Sequence, residues 1–426
     1  AVADFNAHVH SDAGWDHPEE VMAIWTRDLM SGNHPTTAAE DVLIVEDTET
    51  ATIVSSALLI SQTWSYAGIE FGVGRPELVG THPDYRHRGL VRAQFDVLHA
   101  WSAARNQLLQ TITGIPWYYR QFGYEMAPAL FGGRSGPITN VPTLKEGREE
   151  PFRIRPAALA DLPFFATTVA QGDQRSLLSA VRDAAQWRYE LEGYAGAGFA
   201  ARRLCIIERP NGEPIGCLAH PHILWRTDLD LTTYELQPGV SWWAVTPTVL
   251  RYLKRTGESL QAQRAADKPD TAFDAIYWNL GSDHPSYDIV QDWLPKWNSP
   301  YAWYTRVADL PGFLTLITPV LEQRLAQSIF AGHTGTLKLG FYRDGVILTF
   351  EIGRIVDIVA WTLLSGDDVQ GPGIDFPDRT FLQLLFGYRS LDELRCAYPD
   401  CRGPLEARLL TQALFPKQPS AIWPIS

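Results

Sequence analysis

The segment that most restricts the fold of this 426-residue chain is "THPDYRHRGLVR", residues 81–92. It follows "PELVG", which reads as a strand. It opens a stretch in which Val91, Phe95, Leu98 and Trp101 recur at helical spacing, with Arg92, Asp96 and His99 elsewhere on the wheel. A strand that turns through a glycine straight into an amphipathic helix belongs to an α/β layered architecture. Glycine lets backbone approach a ligand closely, and the first N–H groups of the helix lack partners at the positive end of its dipole. Arg86, Arg88 and Arg92 add charge there. The pattern reads as a polyphosphate site; taken alone, it is also an ordinary strand-to-helix turn with a solvated basic face. A P-loop is excluded by the absence of G-K-[ST], and a dinucleotide fingerprint by the absence of its three glycines.

The rest of the chain falls into three units. In the first, strands Val42–Val45 and Thr52–Leu59 flank a polar turn, "LLQTITG" follows the helix as a strand, and "PWYYRQ" is a short helix opened by Pro116. A second unit begins at "PFRIRPAALADL", after the polar "PTLKEGREE". It has a hairpin turned at Asn211-Gly212, a helix in "TPTVLRYLKRTGESLQAQ", a strand in "AFDAIYWNLG", and then "HPSYDIVQDWL". This repeats the order of the first unit without the basic glycine turn. A third unit starts near "WYTRVADLPGFL", with a hairpin turned at Asp344-Gly345, helices around a Gly-Tyr break, a last helix in "EARLLTQALFP" and an apolar tail, "KQPSAIWPIS". The expected fold is α/β (α+β), with units at 1–145, 146–304 and 305–426.

Composition narrows the function. With 45% hydrophobic and 20% charged residues, the chain can fill two or three globular cores. A net charge of −13 argues against a nucleic acid held through its phosphates and is compatible with a cationic small substrate. No apolar run approaches the roughly 20 residues of a membrane span, and no export signal opens the chain, so neither membrane insertion nor a location outside the cytoplasm is expected. Cys205, Cys217, Cys396 and Cys401 lack zinc spacing and read as reduced thiols. His8, His10 and His17 have neither helical H-x-x-x-H spacing nor a carboxylate partner, and read as solvated loop residues; no metal is expected. Glu20 and Asp28 lie in the expected first helix, "HPEEVMAIWTRDLM", as a solvated face or a cation contact.

"RHRGLVRAQFDVLHAWSAARN" followed by "YRQFGYEMA" resembles the GNAT superfamily of acetyl-CoA-dependent N-acetyltransferases. Arg86 and Gly89 fit its R/Q-x-x-G-x-G/A turn, and Tyr119 to Tyr124 fit its Y-x-x-x-G-[FY] segment. Val91 replaces the superfamily's small residue, but R-x-x-G-L-[LVA]-R is the turn of the Eis-like (enhanced intracellular survival) branch. That resemblance implies tandem GNAT domains, the second degenerate, and a C-terminal sterol-carrier-like (SCP2-like) domain. It implies that Val79, Gly80 and Thr81 meet the pantetheine arm of acetyl-CoA. Arg86, His87, Arg88, Gly89, Leu90, Val91 and Arg92 then cradle the pyrophosphate, and Gly114 and Ile115 line the thioester end. Tyr119 becomes the general acid, with Tyr118 its nearest rival and Tyr124 expected in the core. A phenol near pKa 10 roughly matches a departing thiol near 8.5. The C-terminal carboxylate of Ser426 becomes the general base. The implied activity is acetyl transfer to primary amines of a polycationic small molecule, aminoglycoside-like or lysine-containing, by direct attack in a ternary complex and without metal. A homo-oligomer, specifically a hexamer, is implied as well. The alternative is a non-catalytic acyl-CoA or lipid carrier or sensor, which the intact Tyr119 and R-x-x-G-L turn count against.

Overall fold

The computed structural model describes all residues except 195–197, 199, 225, 265–271, 363–372 and 424–426. Helices α1 (Val2–Val9) and α2 (Glu20–Leu29) precede strands β1 (Val42–Asp47), β2 (Thr52–Tyr66) and β3 (Ile69–Thr81). Helix α3 (Leu90–Ala104) and strands β4 (Leu109–Ile112) and β5 (Glu125–Leu130) complete the first unit. The sheet runs β1, β2, β3, β4, then Tyr301–Val307, then β5, with Leu178–Val181 paired to the end of β2. Three strands therefore cross the unit edges read from the sequence: Tyr301–Val307 sits between β4 and β5, Leu178–Val181 joins the first sheet, and Gly133–Pro137 joins the second unit.

The middle of strand β2, residues 57–60, is wholly apolar because both its faces are covered. Ala57 and Leu59 face Leu98 of α3. Leu58 and Ile60 face Trp25 and Leu29 of α2, and Trp64 and Tyr66 continue that face into a core shared with Phe313, Leu321 and Phe386 of the third unit. Each such side chain contributes about 1.5–3 kcal/mol by leaving water, so the first sheet and third unit are fastened along one face. The second unit holds two four-stranded sheets, which part at Thr232 between Asp228–Leu231 and Thr233–Leu236. Its long helix is Trp242–Arg264. The third unit is a sheet of Arg354–Thr362, Asp344–Glu351, Gly335–Gly340 and Gly373–Asp375.

Three expectations change. Strands β2 and β3 are 15 and 13 residues long, far beyond the segments read from sequence, because Ala67-Gly68 turns one continuous hairpin. The third-unit hairpin turns over Phe341–Arg343, with Tyr342 left-handed at φ 67°, and Asp344-Gly345 instead begins the returning strand. The short helix after β4 spans Tyr118–Phe122; Pro116 stands outside it and Trp117 precedes it at φ 66°.

Candidate active site

The parallel strands β3 and β4 pair only at Val73–Leu109 and Gly74–Gln110. Beyond that they splay. On its other edge β3 carries a bulge: Ser56 pairs with Gly80 and Leu58 with Glu77, so Leu78 and Val79 together oppose Ala57. Leu78 is left-handed at φ 49°. Such a bulge turns backbone groups out of the ladder, here at the mouth of the splay.

The strand then enters the loop that frames the opening. His87 and Gly89 are left-handed, at φ 63° and 78°, on either side of Arg88. Alternating handedness of this kind points successive N–H groups into one concavity. Gly89 is the N-cap of α3 and offers no side chain, so the first-turn amides stay open to a ligand. Arg88 stacks on Tyr85 at 4.5 Å and donates to the Asp84 carbonyl at 3.2 Å, while Arg92 donates to Gln121 Oε1 at 3.0 Å. Arg86 folds back toward the Thr81 carbonyl at 3.4 Å.

The cleft so formed has a volume of about 640 Å³ and is lined by Val79, Gly80, Thr81, the run Arg86 to Arg92, Ile115, Tyr118 and Tyr119. Apart from Gly114, the sequence-derived contacts in the described residues thus converge. Gly114 stands just behind the lining: a Cβ there would fall inside the Tyr119 ring, and one on Gly80 would meet Val9 Cγ1 at 2.5 Å. Both glycines are required by close approach. Ser426 lies outside the described residues.

Tyr119 is 7% exposed, packed among Phe95, Tyr124 and Tyr304. Among the described residues its hydroxyl takes no hydrogen bond. Burial raises its pKa, and Glu77, Tyr118 and Tyr304 raise it further. The phenol is therefore held protonated more firmly than the ordinary value near 10 implies, which corrects the expected match with a thiol. Tyr118 is less enclosed and only partly buried, and Tyr124 is fully buried with its hydroxyl 2.9 Å from His99 Nε2, a core position.

Two further residues stand beside the site: Glu77, which the sequence did not single out, and His10, which it read as a solvated loop residue. Glu77, one residue before the bulge, pairs with Arg75 at 2.5 Å and is 3.5 Å from Thr113 Oγ1. It is the carboxylate whose charge reaches both Tyr119 and His10. The same strand also carries Glu70 and Arg75, so residue type alone did not mark Glu77. His10 departs from the solvated-loop reading: it caps α1, its Nε2 is buried without a partner among the described residues, and burial lowers its pKa, with the Leu78 backbone and Glu77 opposing. His8 lies in α1 against the Trp15 carbonyl at 2.6 Å, whereas His17 is exposed. Glu20 is exposed and paired with Arg27, and the Asp28 carbonyl accepts from Tyr189 at 3.5 Å, facing the second unit. Cys205, Cys217 and Cys401 are buried free thiols, and Cys396 is an exposed one.

A splayed parallel pair, a bulge beside it and an uncapped basic helix start are the parts of one known fold. Residues 8–127 match the GNAT acetyltransferase domain. No curated protein matches the sequence. Solved structures extend the likeness of fold beyond the GNAT domain. A conserved protein of unknown function from Enterococcus faecalis V583, described as a probable N-acyltransferase, aligns with TM-score 0.60 at 14% identity over 88% of this chain and 86% of that one. A GCN5-related N-acetyltransferase from Anabaena variabilis ATCC 29413 aligns with TM-score 0.59 at 13% identity over 94% and 92%. Eis1 from Mycobacterium abscessus aligns with TM-score 0.58 at 12% identity over 99% and 95%. The fold is mixed α+β and includes the GNAT domain. Among the described residues, no helix is long and apolar enough to cross a membrane, and no three His, Cys, Asp or Glu side chains converge as a metal site.

Proposed function

We propose that the chain is an acetyl-CoA-dependent N-acetyltransferase of the Eis-like kind, acting on a primary amine of a polycationic small molecule or a lysine. The observation that carries this reading is the joining, in one 640 Å³ cleft, of the uncapped Arg-rich start of α3 with the hydroxyl-bearing ring of Tyr119. The loop from Arg86 to Arg92 suits a pyrophosphate, and the bulge at Leu78 and Val79 suits a pantetheine arm laid along β3 and a thioester oxygen that gains charge.

In this reading the neutral amine forms its N–C bond as the C–S bond breaks. Tyr119 donates toward the departing sulfur, and burial, by keeping the phenol protonated, keeps that donor available. Glu77 adds negative charge near the cleft and favours a cationic acceptor. The amine's proton passes to the carboxylate of Ser426, directly or through water. The tail's course supports this assignment. Ala421 bridges Ser179 in parallel, and Leu178–Val181 runs antiparallel to β2 from Tyr66 to Thr63. At Ala421 the tail thus runs in the direction of the middle of β2, where Ile60 and Leu58 pair with Arg75 and Glu77 of β3. In the same reading the second unit is a degenerate GNAT domain, the third is sterol-carrier-like with scaffold duty, and the assembly is a homo-oligomer.

The test is coenzyme A release from acetyl-CoA across a panel of amines, with the intact chain and one lacking residues 423–426. Amine-dependent release that collapses on truncation while acetyl-CoA binding persists is the expected result. Release that survives truncation moves the base elsewhere, with Glu77 next in line. Tight acetyl-CoA binding without release for any amine returns the carrier reading.

A further inference from the structure

Along α3, next to the front cleft, lies a second cavity of about 790 Å³, within the usual range of small-molecule sites. One wall is the GNAT domain, with Phe95, His99 and Gly123. The other is the third unit, with Phe341, Trp361 and Phe381. Arg306 forms the floor. Its side chain lies flat across Gly123, where a Cβ would come within 3.3 Å of its Nε, and it donates to Gln110 Oε1 at 2.6 Å.

Among the described residues, no carboxylate comes within ion-pair distance of Arg306. Burial lowers its pKa, Tyr124 opposes that, and the neighbouring charge of Arg379 adds to it. Arg343 lines the same cavity and is likewise without an ion pair among the described residues. Asp378 is engaged with Arg379 at 2.9 Å, and Asp96 and Asp344 line the cavity without reaching Arg306. His99, whose Nε2 meets the Tyr124 hydroxyl at 2.9 Å, is pushed down to about 4, by burial first and then by Arg306, with Asp96 opposing. It therefore adds no charge of its own at neutral pH. A partly desolvated guanidinium without a counterion is an unfavourable arrangement that a bound anion relieves. The aromatic walls suit an apolar body attached to that anion.

We propose that this cavity is a second ligand site, for an acidic amphiphile whose carboxylate or phosphate head is held by Arg306 and Arg379 and whose apolar body lies along Phe341, Trp361 and Phe381. The site does not depend on the acyl-transfer reading. It is linked to the front cleft because Arg92, Gln121 and Phe122 line both cavities, with Arg92 stacked on Phe122 at 5.1 Å. Whatever occupies one cavity then changes affinity at the other, reciprocally.

The test is calorimetric titration of the full chain with decanoate, decyl phosphate and uncharged decanol, without and with saturating coenzyme A. Either anion should bind at least about tenfold tighter than decanol, and the tighter of the two names the head group. Arg306→Gln should weaken the anion at least about tenfold, and Arg379→Gln, at a side chain 39% exposed and without risk to folding, should weaken it several-fold. Coenzyme A should change the affinity without abolishing it. The proposal is overturned if decanol binds as well as the anions, if neither anion binds, if both variants keep wild-type affinity, or if coenzyme A displaces the anion completely, which would make the cavity an extension of the front cleft.

Discussion

The first and second units place two tyrosines in matching surroundings and use them differently. Tyr119 follows β4 in a short helix and packs on Gly114; Tyr287 follows the strand Ala275–Trp278, opens the short helix Tyr287–Val290 and packs near Gly133. In both units two strands pair in parallel and then part, after Gly74 in the first and after Leu231 in the second. Yet the Tyr287 hydroxyl donates to the Gly281 carbonyl at 2.8 Å and accepts from the Leu280 amide at 3.2 Å, whereas that of Tyr119 is uncommitted among the described residues. The second splay is also filled. Its cavity measures about 190 Å³ and is lined by tail residues Pro419 to Trp423, against 640 Å³ in the first. Before the second long helix stands Gln-Pro-Gly-Val-Ser, residues 237–241, with Gly239 left-handed at φ 84° but no arginine. The two units resemble each other in a parallel pair that parts beside a tyrosine; among the described residues the first alone combines an open gap, a basic turn and a hydroxyl not spent on backbone.

That contrast can be broken most severely at the tyrosines. Tyr119→Phe should lower kcat by about 10²- to 10³-fold, the range of a lost proton donor. Tyr287→Phe should leave kcat unchanged and cost about 1 kcal/mol of stability. Steady-state coenzyme A release and thermal melts read the two effects, and equal losses of kcat would erase the distinction. Because burial raises Tyr119, its ionisation, which removes the donor, moves to higher pH; the kcat profile should show no falling limb from this group below about pH 10. A limb near pH 8 that disappears in Tyr119→Phe would contradict this.

Next in size is acid stability, set in the second unit by a residue with a purely structural role. His220 is 1% exposed, bonded to the Pro221 carbonyl at 2.8 Å and to the Tyr252 hydroxyl at 3.1 Å, and burial pushes it down to about 4. The unfolded chain takes up a proton near pH 6.5 that the folded chain refuses. Its contribution is therefore present above pH 6.5 and lost as pH falls toward 4, by up to about 3 kcal/mol. His220→Gln should flatten the dependence of melting temperature on pH across that window; an unchanged slope would remove His220 from the account.

Smaller still is the turn. Arg88→Ala should raise the KM for acetyl-CoA about tenfold with kcat nearly intact, as a lost charged contact does. Gly239→Ala should cost about 1 kcal/mol from its left-handed backbone and leave KM alone.

The cleft was legible because its parts are contiguous: strand, turn and helix occupy residues 69–104, and residue type alone gives the charge and the open amides. The hydroxyl came from a separate motif, residues 119–124, beyond β4. Long-range placement was not legible. Tyr301–Val307 inside the first sheet, Leu178–Val181 on β2 and the tail beside it are pairings between distant segments, and alternation of apolar residues does not name a partner. Helix α1 escaped notice because eight residues carry little periodic signal, and Gly80, where a Cβ would meet Val9, lets the end of that helix and the His10 ring approach β3. At the third-unit hairpin, Asp344-Gly345 looked like the turn, but the left-handed residue is Tyr342, a placement that propensity disfavours.

The account rests most directly on where acetyl-CoA binds, and calorimetric titration of the full chain measures it. One molecule per chain is predicted, lost in Arg88→Glu and unaffected by Gly239→Glu. Two molecules per chain, or binding that survives Arg88→Glu and vanishes in Gly239→Glu, would contradict it.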